Sequence, residues 1–143
     1  MPPRRTAQVE PLSDEERALL EEQTRRNLDG MELEAAGRMN LAIALYEQNV
    51  GEGFAGDWPY SRLVLVYERQ GAYDLAERVL RRAIDVTKAD RRRPASDRRG
   101  VLDGLRGRLR VLKKSAQAAK KAGTDAARKG HSFVPLPMID PRG

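Results

Sequence analysis

Apolar side chains recur through the middle of the chain at steps of three and four residues, the spacing that places them on one face of an α-helix. Two such runs are Tyr60, Leu63, Val64 and Tyr67, and then Ala76, Val79, Leu80 and Ala83. Gly71 separates the two runs, and Pro59 suits a first helical turn because its missing N–H would have no partner there. The pattern predicts one helix that begins after Asp57 and another from about Tyr73 to Thr87.

Two more helices are predicted before these runs. Ser13 followed by Glu16 fits a capping box, in which the serine hydroxyl accepts a backbone N–H and the glutamate reaches back to the cap. We expect a first helix over residues 14 to 36, with a bend or break near Gly30 because glycine weakens a helix interior. The second helix, after Gly37, should carry an apolar stripe of Leu41, Ala42, Leu45, Tyr46 and Val50.

A basic linker and a long helix are predicted after the fourth helix. The linker spans residues 88 to 96, where Pro94 rules out a continuous helix. Apolar residues then alternate steps of three and four, which predicts a fifth helix over residues 97 to 121 with a narrow seam. The seam includes Leu102, Leu105, Leu109 and Leu112. It either packs on the rest of the domain or joins two copies of the chain as a homo-oligomer.

Both ends of the chain lack a helical period. Residues 1 to 12 are predicted to form a mobile arm and residues 122 to 143 a flexible tail. The structured part is therefore a single domain over residues 13 to 121. Residues 131 to 143 contain an apolar island that begins at Phe133, which either docks into a partner, folds back on the domain or has no function.

The composition mainly excludes kinds of catalytic and metal-binding site. Strong helix formers outnumber β-branched residues, which favours an all-α fold. The chain has no cysteine and one histidine, His131, so a thiolate site and a histidine metal cluster are excluded. The sequence contains neither a phosphate-binding loop nor a nucleophile with a neighbouring base. We expect no catalytic residue, no metal and no cofactor, and therefore no enzyme.

The distribution of apolar residues also bears on location. No run approaches the roughly 20 apolar residues of a membrane-spanning helix. The start of the chain lacks the apolar stretch of a secretory signal. We therefore expect a cytoplasmic protein that does not bind a membrane.

The helical pattern repeats after 34 residues. This shift places Gly37 on Gly71, Ala42 on Ala76 and Tyr46 on Leu80. The segment DWPYSRLVLVYERQGAYDLAERVLRRAIDV closely resembles a tetratricopeptide repeat (TPR), and the best repeat covers residues 57 to 90. The resemblance extends over about two repeats, residues 31 to 87. It implies TPR-like antiparallel helical hairpins, an α-solenoid fragment, with an N-terminal helix and a C-terminal capping helix.

The chain departs from the family's pattern at a few positions. Val64 lies where the family usually has a small residue, and so does Asn49 in the earlier repeat. In that earlier repeat, Arg26 and Asp29 replace an aromatic residue and a leucine. We therefore expect looser helix packing than in a regular array.

The resemblance implies a binding face on the third helix. In such repeats the first helix of each hairpin lines a concave surface that contacts protein segments. By position in the repeat, its partner-binding residues here are Trp58, Ser61, Arg62, Leu65 and Arg69. Tryptophan and arginine are enriched in binding hot spots. The chain is therefore predicted to be a non-enzymatic adaptor for a protein partner, although Trp58 has an alternative role in packing with Phe54 and Tyr60 to fix the loop before the helix.

Charge suggests an alternative partner. Residues 1 to 86 carry 11 basic and 16 acidic side chains, whereas residues 87 to 143 carry 16 basic and 5 acidic ones. A basic half of this kind contacts either phosphates or an acidic protein. The candidate contacts are Arg91, Arg92, Arg93, Arg98, Arg99, Arg106, Arg110, Lys113 and Lys114. A nucleic-acid accessory function is therefore the alternative to protein binding, and a plain solvated basic surface is the simplest explanation.

Overall fold

The computed structural model describes residues 10 to 128, with side chains to residue 124. This part of the chain contains five helices and no strand, as expected for the all-α class. The helices are α1 (Asp14–Ala35), α2 (Met39–Gly51), α3 (Trp58–Arg69), α4 (Tyr73–Ala89) and α5 (Ala95–Arg128). They pack in chain order, each against the next, and α2 also contacts α4. The array therefore has α1 at one end and α5 at the other.

The predicted capping box begins α1. The backbone N–H of Glu16 donates to Ser13 Oγ at 3.1 Å, and the N–H of Ser13 donates to Glu16 Oε1 at 3.1 Å. The predicted bend near Gly30 is wrong, because α1 continues unbroken to Ala35. Gly30 instead allows close packing: a Cβ atom at this position would overlap the aromatic ring of Tyr46 on α2.

The turns that join α1 to α2 and α3 to α4 have the same geometry. Gly37 and Gly71 both have a positive φ, 75° and 72°, which glycine adopts without steric cost. The residue after each glycine donates its N–H to a carbonyl five residues back, Arg38 to Leu33 and Ala72 to Tyr67, both at 2.8 Å. Each turn is therefore closed by the hydrogen-bond pattern of a Schellman motif.

The core lies mainly between α3 and α4 and extends onto α2. The two apolar runs that predicted α3 and α4 are buried throughout, including Tyr60, Leu63, Tyr67, Ala76, Leu80 and Ala83. On α2, Ala42, Tyr46 and Val50 join the same core. The predicted stripe is wrong at Leu41, which is exposed, because the flanking helices cover a narrower side of α2 than the periodicity suggested.

The contact between α1 and α2 is largely polar. Asn49 is fully buried, and its Nδ2 donates to the carbonyl of Gln23 and to Asn27 Oδ1, both at 2.8 Å. Arg26 donates to Asn49 Oδ1 at 3.1 Å and to Glu52 Oε1 at 2.6 Å. We call these residues the Asn49 network. They explain how α1 packs on α2 although Arg26 and Asn49 are polar.

The fifth helix is longer than predicted. It begins at Ala95 and continues to Arg128, so the predicted bounds of 97 and 121 are wrong, and residues 122 to 128 are helical and do not belong to a tail. Alanine and lysine favour a helix without tertiary packing, which explains the extension. Leu112 is buried, and Leu105 and Leu109 pack against the core. The predicted leucine seam therefore packs within the chain, and three of its leucines are not free to join two copies.

Some predictions fall outside the described residues. Residues 1 to 9 of the predicted arm and residues 129 to 143 of the predicted tail lie outside, including His131 and the apolar island. Within residues 10 to 128, no helix has the length and apolar character needed to cross a membrane.

Candidate protein-binding face of the third helix

The third helix has a buried side and a second side that reaches solvent. Trp58, Arg62, Leu65 and Arg69 are spaced four, three and four residues apart, so they share one face. Trp58 is 38% exposed and Arg69 is exposed, whereas Arg62 and Leu65 are half-buried. Ser61 lies beside this face, and its hydroxyl donates to Asp57 Oδ2 at 2.7 Å, in the first turn of the helix. We call Trp58, Arg62, Leu65 and Arg69 the α3 face.

Trp58 and Arg62 belong to a network that joins three helices. The indole N–H of Trp58 donates to the Tyr46 hydroxyl at 3.3 Å, and that hydroxyl donates to Glu34 Oε2 at 2.6 Å. Arg62 binds Glu34 through Nε, at 3.2 Å, and through Nη2 in a bidentate ion pair. Its guanidinium also lies 5.7 Å from the centre of the Trp58 ring. Glu34 on α1, Tyr46 on α2 and this pair on α3 form the Glu34 network.

The network holds fixed charges near neutral pH. Burial by itself would raise the pKa of Glu34, but hydrogen bonds from Arg62 and Tyr46 and the charge of Arg62 outweigh it and lower the pKa. Burial, with the bond to Glu34, raises the pKa of Tyr46 to about 12. The hydrogen bond to Glu34 raises the pKa of Arg62. Glu34 and Arg62 therefore remain an ion pair, and the tyrosine remains a donor.

Arg62 has a structural role that sequence reasoning missed. The prediction assigned it to partner binding alone, yet its ion pair connects α3 to α1, which are not consecutive. The only signal in the sequence was the opposite charge of Glu34, 28 residues earlier. Arg69 forms no ion pair or hydrogen bond through its side chain with another described residue, although its charge also contributes to the lowered pKa of Glu34. Leu65 is the apolar member of the α3 face.

The basic residues of the second half divide into two groups. Arg92 binds Glu16 and the carbonyl of Glu10, Arg93 binds Asp90 and the carbonyl of Ala55, and Arg98 binds the carbonyl of Asp90. These arginines fix the linker between α4 and α5. Arg91 is exposed in the same linker. The others lie along α5, where Arg99, Arg106, Arg110 and Lys114 are exposed and Lys113 pairs with Glu77 at 3.7 Å. Of the predicted phosphate contacts, Arg99, Arg106, Arg110 and Lys114 share one face of α5, whereas Arg92, Arg93 and Arg98 bind groups at or near the linker.

A separate open cavity of about 240 Å³ lies where the loop before α3 meets the end of α4 and the start of α5. Phe54, Tyr60, Val86 and Leu105 line it, so its walls are mainly apolar. Its polar edge residues Asp90 and Arg93 already pair with each other at 3.7 Å. Among the described residues, no group of three histidine, cysteine or acidic side chains is placed to hold a metal ion.

Comparison with protein-family models, with curated proteins and with solved structures finds no match to this chain. A functional assignment therefore depends on the geometry of the chain itself.

Proposed function

We propose that the chain is a non-enzymatic adaptor of the cytoplasm that binds a segment of another protein on the α3 face. The observation that carries the proposal is the exposed indole of Trp58, which is fixed at the surface by Tyr46 and Arg62. An aromatic residue held in place before binding loses little conformational entropy when a partner arrives. Tryptophan paired with arginine is also a frequent composition of interface hot spots.

We also propose, from the sequence pattern, that the central helices form TPR-like antiparallel hairpins. The glycine turns at Gly37 and Gly71, 34 residues apart, are compatible with it, although α2 ends in the same kind of turn at Gly53. Gly30 supports it, because it lies 34 residues before Val64 at a position where the family favours a small residue. The packing of the helices in chain order is compatible with a short solenoid. In that arrangement α1 and α3 would line the same side of the array.

The binding proposal is tested with a peptide library. A phage-displayed library of random peptides is selected on the full chain, and one enriched peptide is titrated against variants by calorimetry. Trp58→Ala is expected to weaken binding by about thirtyfold, the effect of a hot spot worth about 2 kcal/mol. Arg69→Ala should weaken binding with little change in thermal unfolding, because its exposed side chain forms no hydrogen bond or ion pair with another described residue. Leu65→Ala should also weaken binding, but it should lower the unfolding temperature as well, because its half-buried side chain contributes apolar packing.

The matched control is Leu75→Ala. Leu75 is 43% exposed and lies on α4, not on α3, so its truncation should leave affinity unchanged. If Trp58→Ala, Leu65→Ala and Arg69→Ala all bind the peptide as the wild type does, the α3 face is not the binding site. Arg62→Lys separates the predicted binding role of Arg62 from its structural role, because lysine keeps the positive charge but cannot form the bidentate bond to Glu34.

A further inference from the structure

The two end helices expose faces of opposite charge. On α1 the exposed acidic residues of one face are Asp14, Glu21, Asp29 and Glu32, with Arg25 among them. On α5 the exposed basic residues of one face are Arg99, Arg106, Arg110, Lys114 and Lys121, with Asp103 among them. At 3.6 residues per turn, each set falls within about 80° of its helix. We call the two sets the acidic stripe and the basic stripe.

Both stripes point away from the body of the domain. The side of α1 that packs on α2 carries Gln23, Asn27 and Gly30, and the acidic stripe lies opposite. The side of α5 that packs on α4 carries Leu105, Leu109 and Leu112, and the basic stripe lies opposite. At 1.5 Å per residue, the stripes are about 27 Å and about 33 Å long. The array thus ends in two surfaces of similar length and opposite sign.

The charges of the stripes are not used within the fold. None of their acidic or basic side chains forms an ion pair with another described residue, whereas Arg26, Arg62 and Arg78 all do. Each stripe also borders an exposed apolar residue. Leu28 on α1 is 56% exposed and Val111 on α5 is 63% exposed, the highest values for large hydrophobic residues in the described part of the chain.

We propose that the basic stripe binds the acidic stripe of a second copy of the chain. Contact between opposite ends is heterologous, so the chain forms head-to-tail assemblies, which are open or closed into a ring according to the rotation between copies. Complementary charge directs such a contact and makes it sensitive to salt. A nucleic acid would engage the basic stripe alone and would leave the acidic stripe and Leu28 exposed, which is why a second copy fits the observations better.

The first measurement is sedimentation velocity of the full chain. At about 100 μM protein, where affinities in the micromolar range give mostly associated protein, assemblies larger than a monomer are expected in about 0.05 M salt. The apparent affinity should fall at least tenfold in about 0.5 M salt, where the screening length is only a few ångströms. A wild-type chain that is monomeric at low salt overturns the proposal.

Charge reversal then identifies the surfaces. The acidic stripe is reversed by Glu21→Lys, Asp29→Lys and Glu32→Lys, and the basic stripe by Arg106→Glu, Arg110→Glu and Lys114→Glu. Each triple variant alone should be monomeric, because its two ends carry the same sign. An equimolar mixture of the two variants should associate, because every end then meets an end of opposite sign.

Controls separate this result from unfolding and from another partner. Asp85→Lys changes one exposed charge on α4, outside both stripes, and should associate as the wild type does. Association that survives either reversal, or a mixture that stays monomeric while both variants keep their thermal unfolding, contradicts the proposal. The same variants are tested for binding of a single-stranded oligonucleotide. If reversal of the basic stripe abolishes this binding and the protein alone never associates, the basic stripe is a nucleic-acid site and not a contact between copies.

Discussion

The α1–α2 hairpin and the α3–α4 hairpin share one turn geometry but are held together by different interactions. Tyr60 and Ala83 belong to the apolar core of the second hairpin. The residues 34 positions earlier are Arg26 and Asn49, which form a hydrogen bond in the first hairpin. Turn geometry therefore does not dictate interface chemistry, because the turn depends on glycine and backbone hydrogen bonds alone.

The difference has consequences for stability. Burial of one large apolar side chain stabilises a fold by about 1.5 to 3 kcal/mol and depends little on pH. A neutral hydrogen bond contributes only about 0.5 to 1.5 kcal/mol net, and its loss costs more when the partner stays buried. We therefore expect the α3–α4 hairpin to be the more stable half and the α1–α2 hairpin to respond more strongly to changes in polar groups.

The largest expected effect is in the second hairpin. Leu63→Ala should lower the free energy of unfolding by about 2 to 5 kcal/mol, because Leu63 is fully buried and its truncation leaves a cavity. Urea denaturation followed by circular dichroism measures this loss. Leu41→Ala is the control, since Leu41 is 45% exposed and its truncation should cost no more than about 0.5 kcal/mol. Equal losses for the two variants would mean that the core is placed wrongly.

A smaller effect is expected in the Asn49 network. Asn49→Ala should lower the free energy of unfolding by about 1 to 3 kcal/mol, because Asn27 and Arg26 then lose a partner in a buried site. A double-mutant cycle with Arg26→Ala tests the coupling between the two side chains. The double variant should lose less than the sum of the single losses. Strict additivity would show that the Arg26 to Asn49 bond contributes nothing.

The smallest expected effect concerns acid. The hydrogen bond from Arg26 lowers the pKa of Glu52, and the pKa of Glu34 is also lowered, because the bonds to Arg62 and Tyr46 outweigh burial. A depressed folded pKa adds stability that is present above the unfolded value of about 4.3 and is lost as pH falls through the folded value. The carboxylates of Glu34 and Glu52 both form bonds that join α1 to a neighbouring helix. Acid should therefore weaken the first hairpin before the second.

The measurement is urea denaturation of the wild type and of Glu34→Gln with Glu52→Gln between about pH 5 and pH 2.5, the range in which such groups titrate. The variant should show a flatter loss of stability with acid. Glu32→Gln is the control, because Glu32 is exposed and outside both networks. If the double variant and the wild type lose stability in parallel, these two carboxylates do not cause the acid response.

The sequence by itself determined the local structure. The capping box at Ser13, the glycine turns and the buried side of α3 and α4 follow from short-range spacing, and the structure has them where the pattern predicts. The shared position of Trp58, Arg62, Leu65 and Arg69 on one face also follows from helical periodicity. These features involve residues a few positions apart, so backbone geometry alone relates them.

Only the tertiary structure decided which side chains meet across helices. The pairing of Arg62 with Glu34, 28 residues earlier, depends on how α1 lies beside α3, which no periodicity encodes. The burial of Asn49 and the exposure of Leu41 depend in the same way on which side of α2 its neighbours cover. The ends of α5 were misjudged for a related reason. The spacing of apolar residues predicts a helix only where a partner surface covers them, whereas alanine and lysine extend the helix beyond that surface.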